Sequence, residues 1–261
     1  MVKIFFPASG VDFSELYKTF MTFCHITVSG IFEQKSVFKS GESGRDFLFV
    51  SRYKRRWIIF ISPCMLHLRM QQIAIFASGA GSNAARIIDH FRHHSSVKIS
   101  LIVCNKPGAG VLNIAAQEHI PMLLIEKERF FRGDAYIPQL QELNISFLIL
   151  AGFLWKVPQA LVQAYSRRIV NIHPALLPKY GGKGMYGRHV HEAVIAAKEK
   201  ESGITIHYVD ELYDHGQTIF QATCIIEGND TPETLAQKVH WLEHEHFPRI
   251  IEEVLTGPKK R

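Results

Sequence analysis

The sequence from Met70 to Arg261 predicts an α/β fold: a doubly wound, mostly parallel sheet with an antiparallel carboxyl-terminal extension. Short apolar runs alternate with segments of helical spacing, which is the order found when helices cross between parallel strands. The run 147–151 is almost entirely apolar, as expected for a strand that is buried on both faces. Two β-rich runs follow late in the chain, and we expect them to pair as the antiparallel extension.

Each element follows from a local pattern. Five strands of the parallel part are predicted at 73–77, 99–104, 121–125, 147–151 and 168–171. Helices are predicted at 83–91, from the Pro107 and Gly108 turn to about 119, at 136–143 and at 189–198. The two late strands are expected at 205–210 and 218–226. Thr231 and Pro232 are typical of a cap and first residue of a helix, which should end near Phe247 because Pro248 follows.

Residues 1–69 show no strand–helix alternation, no repeat and no glycine loop. We predict that they are an extension outside the working domain. A mis-assigned start, with Met70 as the true one, would explain them, and an internal targeting element or a partner-binding arm is the alternative. They hold 10 Lys and Arg against 5 Asp and Glu, whereas residues 70–261 hold 20 against 19. The net charge of +6 therefore lies almost wholly in the extension, and no nucleic-acid-binding face is predicted in the rest. Residues 52–66 resemble a signal peptide but begin too far along the chain to act as one.

Cysteine usage predicts a cytoplasmic protein with reduced thiols. Its four cysteines have no C-x-x-C spacing and no paired framework. No apolar run approaches the roughly 18–20 residues of a transmembrane helix, so no membrane partner is expected. No metal is expected either, because His189 and His191 stand alone without further ligands at metal-binding spacing. The sequence leaves the oligomeric state open.

A glycine-rich loop, Ser78 to Asn83, lies between the first strand and the first helix. Its glycines allow a sharp turn, and the helix amino terminus offers free N–H groups to an anion. The loop nearly matches a dinucleotide motif, but no Asp or Glu occurs between Asp89 and Glu118 to hold a ribose. We therefore predict a monophosphate site at Gly81, Ser82 and Asn83. A plain tight turn is the alternative.

Asn171 and His173 close a short strand just before Pro174. Side chains two residues apart on a strand point to the same face, so these two aim together while Ile172 points into the core. An amide donor beside an imidazole suits the stabilisation of an oxyanion and the transfer of a proton. A turn that merely satisfies two polar residues is the alternative. An acid from the loop 209–216 could reach the imidazole, and the sequence does not choose between Asp210 and Asp214.

Taken together, these segments make residues 70–261 resemble the phosphoribosylglycinamide formyltransferases, folate-dependent enzymes of purine synthesis. The resemblance covers essentially this whole region and implies the formyltransferase fold. The motifs that carry it are the glycine loop at 78–83, Leu-Ala-Gly-Phe at 150–153, Asn-Ile-His-Pro-Ala-Leu-Leu-Pro-Lys-Tyr at 171–180, Asp-Glu-Leu-Tyr-Asp at 210–214 and Glu-His at 243–244.

The resemblance also implies roles for individual residues. Asn171 and His173 would be catalytic, Asp214 would orient and charge His173, and Glu243 would contact the glycinamide end of the substrate. Gly81, Ser82 and Asn83 would hold the phosphate. The folate site would comprise Leu154, Trp155, Lys156, Val157, Asn171 and, as a loose match, Arg132. The chain departs from the pattern at Trp155, where an Arg is common, and at 181–188, which is about three residues longer than in much of the family.

The implied reaction transfers a formyl group from 10-formyltetrahydrofolate, the co-substrate, to the amine of glycinamide ribonucleotide, without a metal. Two small molecules are then the only expected partners. A formyltetrahydrofolate hydrolase of the same fold is one alternative, but it would not need the phosphate loop. A methionyl-tRNA formyltransferase should carry an added basic RNA-binding domain after Leu255. A non-catalytic nucleotide-binding module would keep the loop without an aligned Asn171, His173 and Asp214.

Overall fold

The computed structural model describes residues 49–53, 56–60 and 70–257, and the chain divides into two units, Met1–Arg69 and Met70–Arg261. In the first unit, β1 (Phe49–Tyr53) pairs antiparallel with β2 (Arg56–Phe60). The sequence pattern did not predict these two strands. Most of the predicted extension, including much of the segment that resembles a signal peptide, lies outside the described residues.

The second unit contains every predicted strand, in the predicted order, and two helices that were not predicted. Its strands are β3 (Gln71–Ala77), β4 (Val97–Cys104), β5 (Met122–Leu124), β6 (Ile145–Leu150), β7 (Ile169–His173), β8 (Glu201–Tyr208) and β9 (Thr218–Ile225). Its helices are α1 (Ser82–Phe91), α2 (Gly110–Gln117), α3 (Lys127–Phe131), α4 (Ile137–Glu142), α5 (Gln159–Ala164), α6 (Arg188–Ala196) and α7 (Pro232–Thr256).

The seven strands form one sheet in the order β5-β4-β3-β6-β7-β8-β9. Strands β3 to β7 pair in parallel with their neighbours, while β7–β8 and β8–β9 are antiparallel. The predicted fold class is therefore confirmed. The chain leaves β3 towards one edge and returns to β6 on the other side, so a crevice opens at the carboxyl ends of β3 and β6.

Both faces of the sheet are buried, and alternate residues of β3 supply both. Ile73 and Ile75 pack into the core shared with α1, α2, α6 and α7, whereas Ala74 and Phe76 pack into the core shared with α3, α4 and α5. The central strands are therefore apolar at nearly every position, which is why they read as continuous hydrophobic runs in the sequence.

Three details of the helices differ from the prediction, and one is α5, which was not predicted. Helix α7 continues through Pro248 to Thr256, so the predicted end near Phe247 is wrong. Proline lacks the N–H that would bond four residues back, yet Phe247, Pro248, Ile250 and Ile251 are all buried, and this packing holds the helix together. Helix α3 was not predicted because its five residues are too few to show a period.

Candidate active site

The crevice between β3 and β6 brings the predicted phosphate loop beside the predicted folate segment. The Ser78 backbone N–H donates to the carbonyl of Gly152 at 3.1 Å. The Leu154 N–H in turn donates to the Ser78 hydroxyl at 3.0 Å. The loops that follow two neighbouring strands are thus tied together at one edge of the sheet.

The glycine loop turns into α1 at Gly81, whose φ of 86° is in the left-handed region. A Cβ at this position would lie 2.8 Å from the Val111 Cβ, so only glycine fits. Ser82 is exposed at the first position of the helix, whereas Asn83 is buried. The Asn83 amide donates to Glu243 Oε2 at 2.8 Å. The side chain of Asn83 is therefore committed to Glu243, and the backbone N–H groups are what the loop offers to an anion.

Asn171 and His173 end β7 with the polar side chains on one face, and Ile172 packs into the core as expected. Strand β8 lies beside them and pairs Asn171 with His207 and His173 with Thr205. Asn171 is half-buried, but His173 is only 3% exposed. His173 is thus more deeply enclosed than a residue at the end of a strand would usually be.

Two acceptors hold the ring of His173. Its Nε2 lies 2.8 Å from the carbonyl oxygen of Tyr180, and its Nδ1 lies 3.6 Å from Asp214 Oδ2. The same carboxylate oxygen accepts the Gly182 N–H at 2.8 Å. Since each nitrogen of the ring faces an oxygen, a doubly protonated imidazolium would find a partner on both sides.

The structure distinguishes Asp214 from Asp210, the two acids between which the sequence did not choose a partner for His173. Asp214 faces His173, with its side chain 13% exposed. Asp210 instead accepts from the His215 ring at 2.7 Å and from the Leu212 N–H at 2.9 Å. Burial alone would raise the pKa of Asp210, but the hydrogen bonds from His215 and from the Leu212 N–H outweigh it, and the pKa is lowered. Asp210 therefore belongs to an exposed turn.

His207 is a site residue that the sequence reasoning missed. Its Nδ1 lies 2.8 Å from the Tyr208 carbonyl, and its Nε2 lies 3.1 Å from the Asn171 amide nitrogen and 3.8 Å from Asp214 Oδ1. The geometry fits a neutral ring that donates from Nδ1 and accepts from Asn171. Burial lowers the pKa of His207, which favours the same neutral form. His207 reaches the site only because β8 pairs with β7. No local motif in the sequence predicts the register of that pairing.

Glu243 of α7 is the centre of a second polar cluster. It is buried, and Oε2 accepts from Asn83 and from His240 Nδ1, the latter at 2.9 Å. This bond to Glu243 raises the pKa of His240. His191 of α6 is buried nearby, and burial lowers its pKa against the opposing pull of Glu243. The predicted phosphate loop and the predicted amine contact are thus joined directly through Asn83.

The predicted folate segment borders a group of aromatic rings. The ring centroid of Trp155 lies 5.7 Å from those of Phe130 and Phe131 on α3. Arg132 is exposed at the end of the same helix. Lys156 Nζ lies 5.4 Å from the ring centre of Tyr213. Leu154 is 51% exposed at the mouth of the crevice. Val157 is buried in the core, so its side chain is not exposed to the crevice.

Comparison with known proteins places the chain in a family. A family model described as "Formyl transferase" matches residues 71–251. The chain belongs to the formyl transferase family. The resemblance that the sequence motifs predicted is therefore confirmed.

Several relatives of this formyl transferase are named phosphoribosylglycinamide formyltransferase. It is 39% identical over 189 residues to the chloroplastic phosphoribosylglycinamide formyltransferase of Arabidopsis thaliana, with 70% of this chain and 65% of that protein covered. It is 37% identical to the phosphoribosylglycinamide formyltransferase of Bacillus subtilis, with 71% of this chain and 95% of that protein covered. The crystal structure of the Bacillus halodurans phosphoribosylglycinamide formyltransferase is 38% identical, with a TM-score of 0.66 over 72% of this chain and 96% of that one.

Two features are absent from the described part of this formyl transferase. Among residues 49–53, 56–60 and 70–257, no group of three or more His, Cys, Asp and Glu side chains is arranged to hold a metal ion. Within the same ranges, no helix has the length and apolar character needed to cross a membrane.

Proposed function

We propose that this chain transfers the formyl group of 10-formyltetrahydrofolate to the primary amine of glycinamide ribonucleotide. One observation supports this above the others. Asn83 bonds the predicted phosphate loop directly to Glu243, and Asn171, His173 and Asp214 gather at the carboxyl end of β7, the strand next to β6. A phosphorylated amine that spans from the loop to Glu243 would present its nitrogen near His173. The names of the relatives agree with this substrate.

The phosphate would bind at the amino terminus of α1. The N–H groups there have no partners within the helix, and the helix dipole favours a dianion. Ser82 is exposed at this point and can add a hydroxyl donor. The carboxylate of Glu243 would attract the amine at the far end of the substrate.

The attack of the amine on the formyl carbon builds negative charge on the formyl oxygen. The Asn171 amide has two hydrogens, of which one is used by His207, so the second can stabilise this oxyanion. His173 would supply the other donor, with Asp214 stabilising its protonated form. In the structure its Nε2 faces Tyr180, so that carbonyl has to give way to the formyl oxygen when His173 donates. Hydrogen bonds of this kind often reach catalytic geometry only with substrate bound.

The folate would enter from the aromatic side. Trp155 and Phe131 offer flat apolar surfaces for the ring system, and Lys156 and Arg132 are cations at its border. A proton must pass from the attacking nitrogen to the folate N10 as the product forms, and we assign this passage to water near Asp214. The proposed setting is the cytoplasm, although the plant relative is named as chloroplastic.

The decisive assay follows both substrates at once. Purified full-length chain is given formyl folate with and without glycinamide ribonucleotide, and both formylated ribonucleotide and free formate are measured. We expect formylated ribonucleotide to form one for one with folate turnover. Formate release at the same rate without the ribonucleotide would overturn the proposal and favour a hydrolase.

A further inference from the structure

One buried imidazole beside the site has no role in the mechanism so far. His191 lies on α6, on the same buried face as Val190 and Val194, and is 5% exposed. Among the described residues, its Nδ1 is fully enclosed and has no hydrogen-bond partner. Buried polar atoms are nearly always paired, so an enclosed nitrogen without a protein partner points to a ligand or water that it serves.

The charged groups that influence the ring of His191 belong to the proposed site. The charge of its ring interacts with Glu243 and His240 of α7 and with His173 of β7. Those other two imidazoles are engaged, His240 with Glu243 and His173 with Tyr180 and Asp214. Of the three rings, His191 is the one with a buried nitrogen that has no hydrogen-bond partner.

Formyl transfer to an amine needs such an acceptor. A primary amine is mostly an ammonium ion near neutral pH, and its nitrogen has no lone pair until a proton leaves. We propose that His191 Nδ1 removes this proton from the substrate's ammonium group and thereby generates the nucleophile. This assignment rests on the proposed function.

The proton count balances. The ammonium N–H bond breaks, its electron pair stays on the substrate nitrogen, and an N–H bond forms at Nδ1. The attacking nitrogen later loses a second proton, which ends on the folate N10 as the C–N bond to N10 breaks. His191 returns the first proton to solvent as the products leave.

The surroundings of His191 suit a base. Burial lowers its pKa, which keeps the ring neutral and able to accept. The Glu243 carboxylate opposes that effect and would stabilise the imidazolium once it forms. A general base typically contributes about 10²–10⁴-fold to the rate.

The test is the pH dependence of the His191→Asn variant. The asparagine oxygen can replace Nδ1 as a hydrogen-bond acceptor but cannot take up a proton. We expect kcat/KM for glycinamide ribonucleotide to fall on the order of 10²-fold at pH 6.5, with the loss shrinking steadily towards pH 9.5. It should shrink because the amine then arrives already deprotonated. The KM for formyl folate should not change.

Controls separate this role from folding and from the proposed function. His189→Asn, on the exposed side of the same helix, should behave like the unmodified chain at every pH. Melting temperatures at pH 6.5 and pH 9.5 show whether each variant is folded under both conditions, because stability itself can change with pH. His191→Gln should repeat the same pH trend. A loss that is constant with pH, or no loss, overturns the role of His191. Failure of the unmodified chain to formylate the ribonucleotide overturns the proposed function itself.

Discussion

Two polar clusters lie along helix α7, and they differ in how completely their atoms are paired. At the start of the helix, both carboxylate oxygens of Asp230 are used: Oδ1 accepts from Thr234, and Oδ2 accepts from Lys238 at 2.6 Å and from the Glu227 N–H at 2.8 Å. About three turns further on, Glu243 accepts from Asn83 and His240, but Asn83 Oδ1 and His191 Nδ1 have no partner among the described residues.

The difference separates a structural cluster from a functional one. Around Asp230, the polar atoms are all bonded to one another, and the result is a capped helix. Around Glu243, buried polar atoms are left over. A cluster that only stabilised the fold would gain from filling those places, because an unpaired buried polar atom costs about 1–3 kcal/mol. The unpaired atoms are therefore where we expect the substrate to bind.

The largest expected effect comes from the groups that face the reacting carbon. His173→Ala or Asn171→Ala should lower kcat by about 10²–10³-fold, the usual cost of removing one oxyanion donor. Because His173 is buried, melting temperature has to be measured alongside kcat. Near-normal turnover in a folded His173→Ala chain would contradict the mechanism.

A smaller and more selective effect is expected at the phosphate loop. Ser82→Asp places a negative charge where the phosphate should bind, and it should raise the KM for glycinamide ribonucleotide by about tenfold or more through like-charge repulsion. The KM for formyl folate should stay within about twofold. Asn83→Ala should act in the same direction, since it also frees Glu243. Equal damage to both substrates would mean that the loop is only structural.

Asp214→Asn tests whether the carboxylate acts through its charge. The amide oxygen can still accept the Gly182 N–H, so the loop should keep its shape. It cannot favour an imidazolium at His173, so the pH–rate profile should shift or flatten while both KM values hold. Asp210→Asn is the matched control, because that acid pairs with the exposed His215. An unchanged profile in Asp214→Asn would remove the carboxylate from the mechanism.

Asp230→Asn should give the opposite signature, with lower stability and unchanged kcat. The loss should be about 1.5–3 kcal/mol, the usual net contribution of a hydrogen bond to a charged group. The hydrogen bond from Lys238 holds the pKa of Asp230 at about 2, below its ordinary value of 3.8. Its contribution is therefore present above about pH 4 and lost as the pH falls through about 2. Urea melts at pH 7 and pH 2.5 measure this; a variant that lost activity but not stability would erase the distinction between the clusters.

Much of this architecture could be predicted from the sequence because its signals are local. Buried parallel strands appear as apolar runs, Thr231 with Pro232 marks a helix start, and Asn171 and His173 share a face through a spacing of two. The parts that could not be predicted depend on contacts between distant segments. The choice of Asp214 over Asp210 depends on where the loop after β8 folds back. The place of His207 depends on the register of β8 against β7.

The difference between local signals and contacts between distant segments also explains the errors in the predicted helices. A proline is a stop signal only where no packing compensates, and the apolar residues after Pro248 provide that packing in α7. The bond between Asn83 and Glu243 joins positions 160 residues apart, so no motif could announce it.

The smallest expected effect tests whether the two clusters are sufficient for activity without residues 1–69. Every residue assigned to them lies after Met70, and residues 1–69 carry most of the excess positive charge without a matching motif. We therefore expect a chain that begins at Met70 to keep the full kcat and both KM values, and to be at least as soluble. A several-fold loss would show that residues 1–69 contribute a group to the reaction or to binding. Mass spectrometry of the native amino terminus gives an independent answer: peptides from residues 1–69 at full abundance would show that the extension is made, and abundant protein beginning at Met70 would show that it is not.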